Sequence, residues 1–152
     1  MVTVMSKLMT QEAREQYLTD LEEELLLGGA SFSEWCAFIA KDTETAFIHG
    51  ADLSTVVMSL ACIETYLKTE SPELQKQSLY SLVGNETSLS AEEKHSLNKL
   101  RLYRNRWIHC SIDDLDDAAI LKNESDFIRE AEEMACLAVK MLLTVLFLNQ
   151  YV

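Results

Sequence analysis

Residues 90–110 of the chain read SAEEKHSLNKLRLYRNRWIHC, and this stretch decides the fold. Ser90 and Glu93 stand at the S-x-x-E spacing of a capping box, in which a hydroxyl and a carboxylate satisfy the free N–H groups at a helix start. Leu97, Leu100, Tyr103 and Trp107 then recur at three- and four-residue intervals, the period of one helical face. The spacing predicts a helix that ends near His109 or Cys110.

The same two signals, a cap and a stripe, repeat on both sides of it. Upstream, Thr10 opens a segment with Leu18, Leu21 and Leu25 at helical spacing, and Gly28-Gly29 offers a left-handed stop. Glu22, Glu23 and Glu24 read as its solvated face. Ser31 and Glu34 form a second S-x-x-E pair, ahead of a stripe of Phe32, Trp35, Cys36, Ile39, Thr43, Ala46 and Phe47 that ends near His49-Gly50. Asp52 can cap a third helix, whose stripe runs through Leu53, Val56, Val57, Leu60, Ala61 and Leu67 until Ser71-Pro72 restarts the chain. A short fourth helix should end near Gly84. Downstream, Ser111 to Glu133 carries nine acids against Lys122 and Arg129, and a last helix starts near Asn123 to Ser125. From Met134 onward that helix is apolar on nearly every face, which a helix in water tolerates only when protein surrounds it. In a domain this small that suggests a second subunit. The expectation is one all-α domain of five to six helices, residues 1–30 being an N-terminal helix extension and 31–152 the core bundle, assembled as a homodimer.

Composition narrows the class further. A chain of 152 residues buries roughly 68–70% of its unfolded surface, enough for a core without disulfides or metal. Four glycines and one proline leave little material for hairpin turns, and no strand pattern or internal repeat stands out. Cys36, Cys62, Cys110 and Cys136 lie 26 or more residues apart with no C-x-x-C pair, so they read as reduced packing residues of a cytoplasmic protein. Met1 to Thr10 lacks the basic-then-apolar form of a signal peptide. Lys140 interrupts the apolar stretch from Met134 to Val152 and leaves 12 uncharged residues behind it, too few to span a bilayer, so no membrane is expected. His49, His95 and the carboxylates give a metal centre little support, and no cofactor is expected.

Two charges fall on apolar stripes. Glu64 lies four residues after Leu60 and three before Leu67; Arg104 lies four after Leu100 and three before Trp107. An unpaired buried charge costs several kcal/mol, so the simplest expectation is that Glu64 and Arg104 pair. Such a pair either locks two helices together or presents the remaining guanidinium N–H groups to an anion such as phosphate.

Net charge is −12, which argues against general binding of nucleic acid. Yet Lys94, Lys99, Arg101, Arg104 and Arg106 all fall between residues 94 and 110, where there is no acid. That run is either an ordinary solvated face or a local attractor of polyanions. Within it Asn105 and His109 share a helical face, while Arg104 and His109 stand about 140° apart around an ideal helix. Imidazole transfers protons near neutral pH and guanidinium holds phosphoryl oxygens, the minimum set for metal-free phosphodiester cleavage. Alternatively His109 simply caps the helix end.

Arg104-Asn105-x-x-x-His109, preceded by Leu100-Arg101 on a late helix, resembles the R-x(4–6)-H motif of HEPN domains. The stretch from Gly50-Ala51 through Ala61-Cys62-Ile63-Glu64-Thr65-Tyr66-Leu67-Lys68 is similar to their second conserved helix, with its Glu ahead of Leu-Lys. The resemblance runs from about Trp35 to the C-terminus. It implies a bundle that dimerises so that two motifs meet at a cleft on the twofold axis. Many such proteins are metal-independent RNA endonucleases of toxin–antitoxin or defence systems, often paired with a minimal nucleotidyltransferase; others are scaffolds or nucleotide binders. By this resemblance His109 acts as general acid or base, Arg104 binds and stabilises the scissile phosphate and Asn105 positions one or both. Glu64 is expected in support, and Lys99, Arg101 and Arg106 of the basic run are expected to hold substrate. Attack by the 2′-hydroxyl leaves a cyclic phosphate and spares DNA. Strong acidity departs from the pattern, and Asp113, Asp114, Asp116 and Asp117 follow the motif directly.

Overall fold

The computed structural model describes residues 8–109 and 122–151. Among them are six α-helices: α1 (Gln11–Leu25), α2 (Glu34–Ile48), α3 (Asp52–Glu70), α4 (Leu79–Asn85), α5 (Ala91–Ile108) and α6 (Glu124–Leu146). A 3-10 turn at Pro72–Leu74 follows α3, and two-residue strands β1 (Gly29–Ala30) and β2 (Gln150–Tyr151) pair antiparallel. The architecture is an all-α bundle, and no described helix is long and apolar enough to cross a membrane.

Local chemistry sets the helix ends. Thr10 accepts from the Ala13 N–H and starts α1. The capping box of α5 is complete: Glu93 N–H donates to Ser90 Oγ at 3.1 Å, and Ser90 N–H to Glu93 Oε1 at 2.8 Å. At α2 the cap is Ser33, whose Oγ accepts from Cys36 N–H, rather than the expected Ser31–Glu34 box. Asp52 occupies the first turn of α3 without capping it, because its carboxylate is committed to Arg14. Between α2 and α3, Gly50 takes φ +80°, with Gly50 N–H bonded to Phe47 O and Ala51 N–H to Ala46 O. That paired closure needs a left-handed residue, which glycine adopts without strain. Gly28-Gly29 needs no such conformation: Gln150 closes the end of α1 instead, accepting from Leu27 and Gly28 N–H through Oε1 and donating to Leu25 O through Nε2.

α6 forms the centre of the bundle. It packs against α1, α2, α3 and α5, and buries Ala135, Ala138, Val139, Met141, Leu142, Leu143, Val145 and Leu146. The apolar faces that suggested a second subunit are therefore covered by helices of the same chain. The main core gathers Val56, Leu60, Ile63, Tyr66, Leu97 and Leu100 around α6. A second cluster joins Leu18 and Leu21 of α1 to Phe47, Ala135, Val139 and Leu143, so the N-terminal helix is docked onto the rest by its own stripe.

Two stripes are rotated from their expected positions. α2 buries Cys36, Ala40, Thr43 and Phe47, which leaves Trp35 73% exposed. One residue is 100° of helix, enough to move an indole from core to solvent. On α3, Leu53 is exposed and the buried face runs through Val56, Ser59, Leu60, Ile63, Tyr66 and Leu67, which sets Glu64 on its margin.

The described cysteines are reduced. Cys36 and Cys62 are fully buried, and burial pushes the Cys62 thiol up to about 12. Cys136 is raised to about 11, again chiefly by burial. Well below those values the thiolate that attacks a disulfide reagent is scarce. Native protein titrated with Ellman's reagent at pH 8 should leave Cys36 and Cys62 unmodified, identified by peptide mass; prompt labelling of either would contradict the packing.

Candidate functional site

α5 carries every residue of the sequence motif, and its packing divides them. Leu97, Leu100 and Tyr103 face the core, and Trp107 packs edge-on against Tyr103 and Phe127. His95, Lys99, Leu102, Arg106 and His109, spaced by four and three residues, form the exposed outer face. Asn98, Arg101, Arg104 and Asn105 are half-buried along the flank between these two faces.

Arg104 and Asn105 are joined directly. Asn105 Oδ1 accepts from Arg104 Nε at 3.4 Å and from Nη2 at 3.2 Å. A guanidinium has five N–H donors, so three remain for an anion. His109 sits at the end of α5, its N–H donating to Asn105 O at 2.8 Å while its imidazole lies exposed. Three motif residues thus occupy the last turns of one helix, with Arg104 and His109 on different sides of it.

Glu64 belongs to a different arrangement. It bonds Lys68 of its own helix at 2.8 Å, each side chain being 30% exposed, so the expected Glu64–Arg104 pair is replaced by an i,i+4 pair. The margin position lets water reach the carboxylate, which removes the need for a guanidinium partner. Glu64→Ala should accordingly cost only about 0.3–0.5 kcal/mol in urea unfolding; a loss of several kcal/mol would show that Glu64 does more than hold Lys68.

The expected substrate-binding bases differ in availability. Arg106 bonds Glu130 at 2.7 Å and lies 5.4–5.9 Å from the ring centres of Tyr103, Trp107 and Phe127. It is an exposed but partnered cation that ties α5 to α6. Lys99 is exposed with no bonded partner among the described residues. Arg101 bonds Asn98 Oδ1 at 3.4 Å, and its guanidinium carbon stands 5.1 Å from the centre of the Tyr80 ring. Tyr80, on α4, is 60% exposed and was not singled out by sequence. Nothing in its local pattern distinguished it, since α4 and α5 meet only in the folded bundle.

The carboxylates nearest in sequence, Asp113, Asp114, Asp116 and Asp117, lie outside the described residues. Glu92 and His95, the chain's Glu-x-x-His spacing, are both exposed on α5, and no group of three potential metal ligands occurs among the described residues. An apolar groove of about 600 Å³ lies elsewhere, between α2 and α3, lined by Glu34, Trp35, Phe38, Ile39, Asp42 and Met58. None of the motif residues lines it.

A buried charge does exist, on an element that the motif does not include. Arg14 of α1 is 3% exposed, bonded through both terminal nitrogens to Asp52, and also to Glu132 at 3.0 Å and to Phe47 O at 2.8 Å. Burial alone would lower its pKa, but the hydrogen bond and charge of Asp52 and the charge of Glu132 outweigh this and hold it above the ordinary value. Arg14 was not singled out by sequence, although it precedes Leu18 by four residues and so extends the α1 stripe.

Compared with protein families, curated proteins and solved structures, the chain matches none of them.

Proposed function

We propose that the chain is a metal-independent RNA endonuclease of the HEPN type, acting as a cytoplasmic homodimer in a toxin–antitoxin or defence system, with a nucleotidyltransferase-type antitoxin as its expected partner. The observation that carries this reading is the Arg104–Asn105 pair beside an exposed His109, on a helix segment without an acid. Asn105 fixes the guanidinium and leaves donors for the oxygens of a phosphate. Because Arg104 and His109 diverge around their helix, one protomer does not converge them, and a twofold partner supplies the complementary group.

In that cleft one imidazole accepts the proton of the RNA 2′-hydroxyl as its oxygen attacks phosphorus. The other gives a proton to the departing 5′-oxygen, and Arg104 neutralises charge on the phosphoryl oxygens. The products are a 2′,3′-cyclic phosphate and a 5′-hydroxyl; DNA, lacking the nucleophile, is not cut. Purified protein incubated with total RNA in EDTA should cleave it. Cleavage that disappears with chelator, or that persists in Arg104→Ala, would overturn the assignment.

The apolar groove with exposed Trp35 and Phe38 favours a second reading, a non-catalytic HEPN-like interaction or nucleotide-binding scaffold. A stable partner complex unaffected by His109→Ala, in a protein without ribonuclease activity, distinguishes it.

A further inference from the structure

We infer that Tyr80 and Arg101 form a stacking subsite for an unpaired nucleobase next to the Arg104–Asn105 pair, a proposal that rests on the RNA-binding reading above. α4 buries Leu79, Leu82 and Val83. Tyr80 is one residue from Leu79, about 100° around the helix, so it turns outward and is 60% exposed. The Arg101 guanidinium stands 5.1 Å from the ring centre, within cation–π range, and covers one side of the phenol. The exposure that remains leaves ring surface open to a ligand. Asn98 holds the Arg101 Nε, which limits rotation of the guanidinium.

The subsite's position gives it its role. Arg101 lies three residues from Arg104 and four from Asn105, about 4.5–6 Å along the helix axis, and all three share the half-buried flank of α5. A strand whose phosphate sits at Arg104 therefore places a neighbouring base within reach of Tyr80. α4 contains no charged residue, and the acids of α5, Glu92 and Glu93, lie in its first turn, about two turns before Arg101. An aromatic ring beside a guanidinium stacks any of the bases and needs them splayed out of a duplex.

The test compares binding of two fluorescein-labelled 2′-O-methyl oligonucleotides of ~12 nucleotides, one with normal bases and one abasic throughout. The 2′-O-methyl groups remove the nucleophile, so binding is read without cleavage. Wild type should prefer the base-bearing strand. Tyr80→Ala should weaken that strand about 5- to 100-fold and leave the abasic strand unchanged, while Tyr80→Phe should retain the preference. An equal loss on both strands would reduce Tyr80 to a support for Arg101 and overturn the subsite. Unchanged binding in Tyr80→Ala overturns it too, with the RNA-binding reading intact. Failure of wild type to bind either strand defeats both.

Discussion

Arg14→Ala should destabilise the fold by about 3–5 kcal/mol in urea unfolding, the loss expected when one member of a buried ion network is removed. Asp52 and Glu132, 11% and 15% exposed, would be left with no cation, and Phe47 O would keep the Gly50 N–H but lose its guanidinium donor at the end of α2. The network spans four elements, since Arg14 belongs to α1, Phe47 to α2, Asp52 to α3 and Glu132 to α6. Such a loss is a large share of a typical stability of 5–15 kcal/mol. Arg14→Lys should recover only part of it, because an ammonium does not reproduce the two-nitrogen grip on Asp52. A change below about 1 kcal/mol in Arg14→Ala would mean that water replaces the guanidinium without difficulty.

His109→Ala should lower RNA cleavage by about 10²- to 10⁴-fold, the usual contribution of a general acid or base. The imidazole is exposed and makes no side-chain bond to another described residue, so thermal unfolding should be unchanged within about 0.5 kcal/mol. That combination separates chemistry from folding, which Arg104→Ala alone does not, because Arg104 is half-buried and bonded to Asn105. Retention of wild-type cleavage in a folded His109→Ala protein would remove His109 from the mechanism.

Several helix starts and ends were readable because the deciding groups are neighbours in sequence: the Ser90–Glu93 box, the Gly50 turn and the Asn123 start of α6 all depend on residues within one or two turns, whereas at α2 two serines compete and Ser33, not Ser31, makes the cap. Which face each helix buries was less readable. Trp35 and Glu64 each missed their predicted environment by a fraction of a helical turn, because the direction of burial on α2 and α3 depends on where α6 lies. Arg104 and Asn105 were adjacent from the start. Their neighbours were not: Glu130 occupies Arg106 from 24 residues away, and Tyr80 meets Arg101 across two helices. Contacts of that range follow from packing, which periodicity does not encode.

The central place of α6 orders the chain's synthesis. The described helices that it covers, α1, α2, α3 and α5, emerge from the ribosome with apolar faces whose covering helix has yet to be translated. At roughly 5–20 residues per second they wait for seconds in that state. Chaperones therefore have their opportunity on the nascent chain, and closure of the bundle is delayed until residues 124–146 have cleared the exit tunnel.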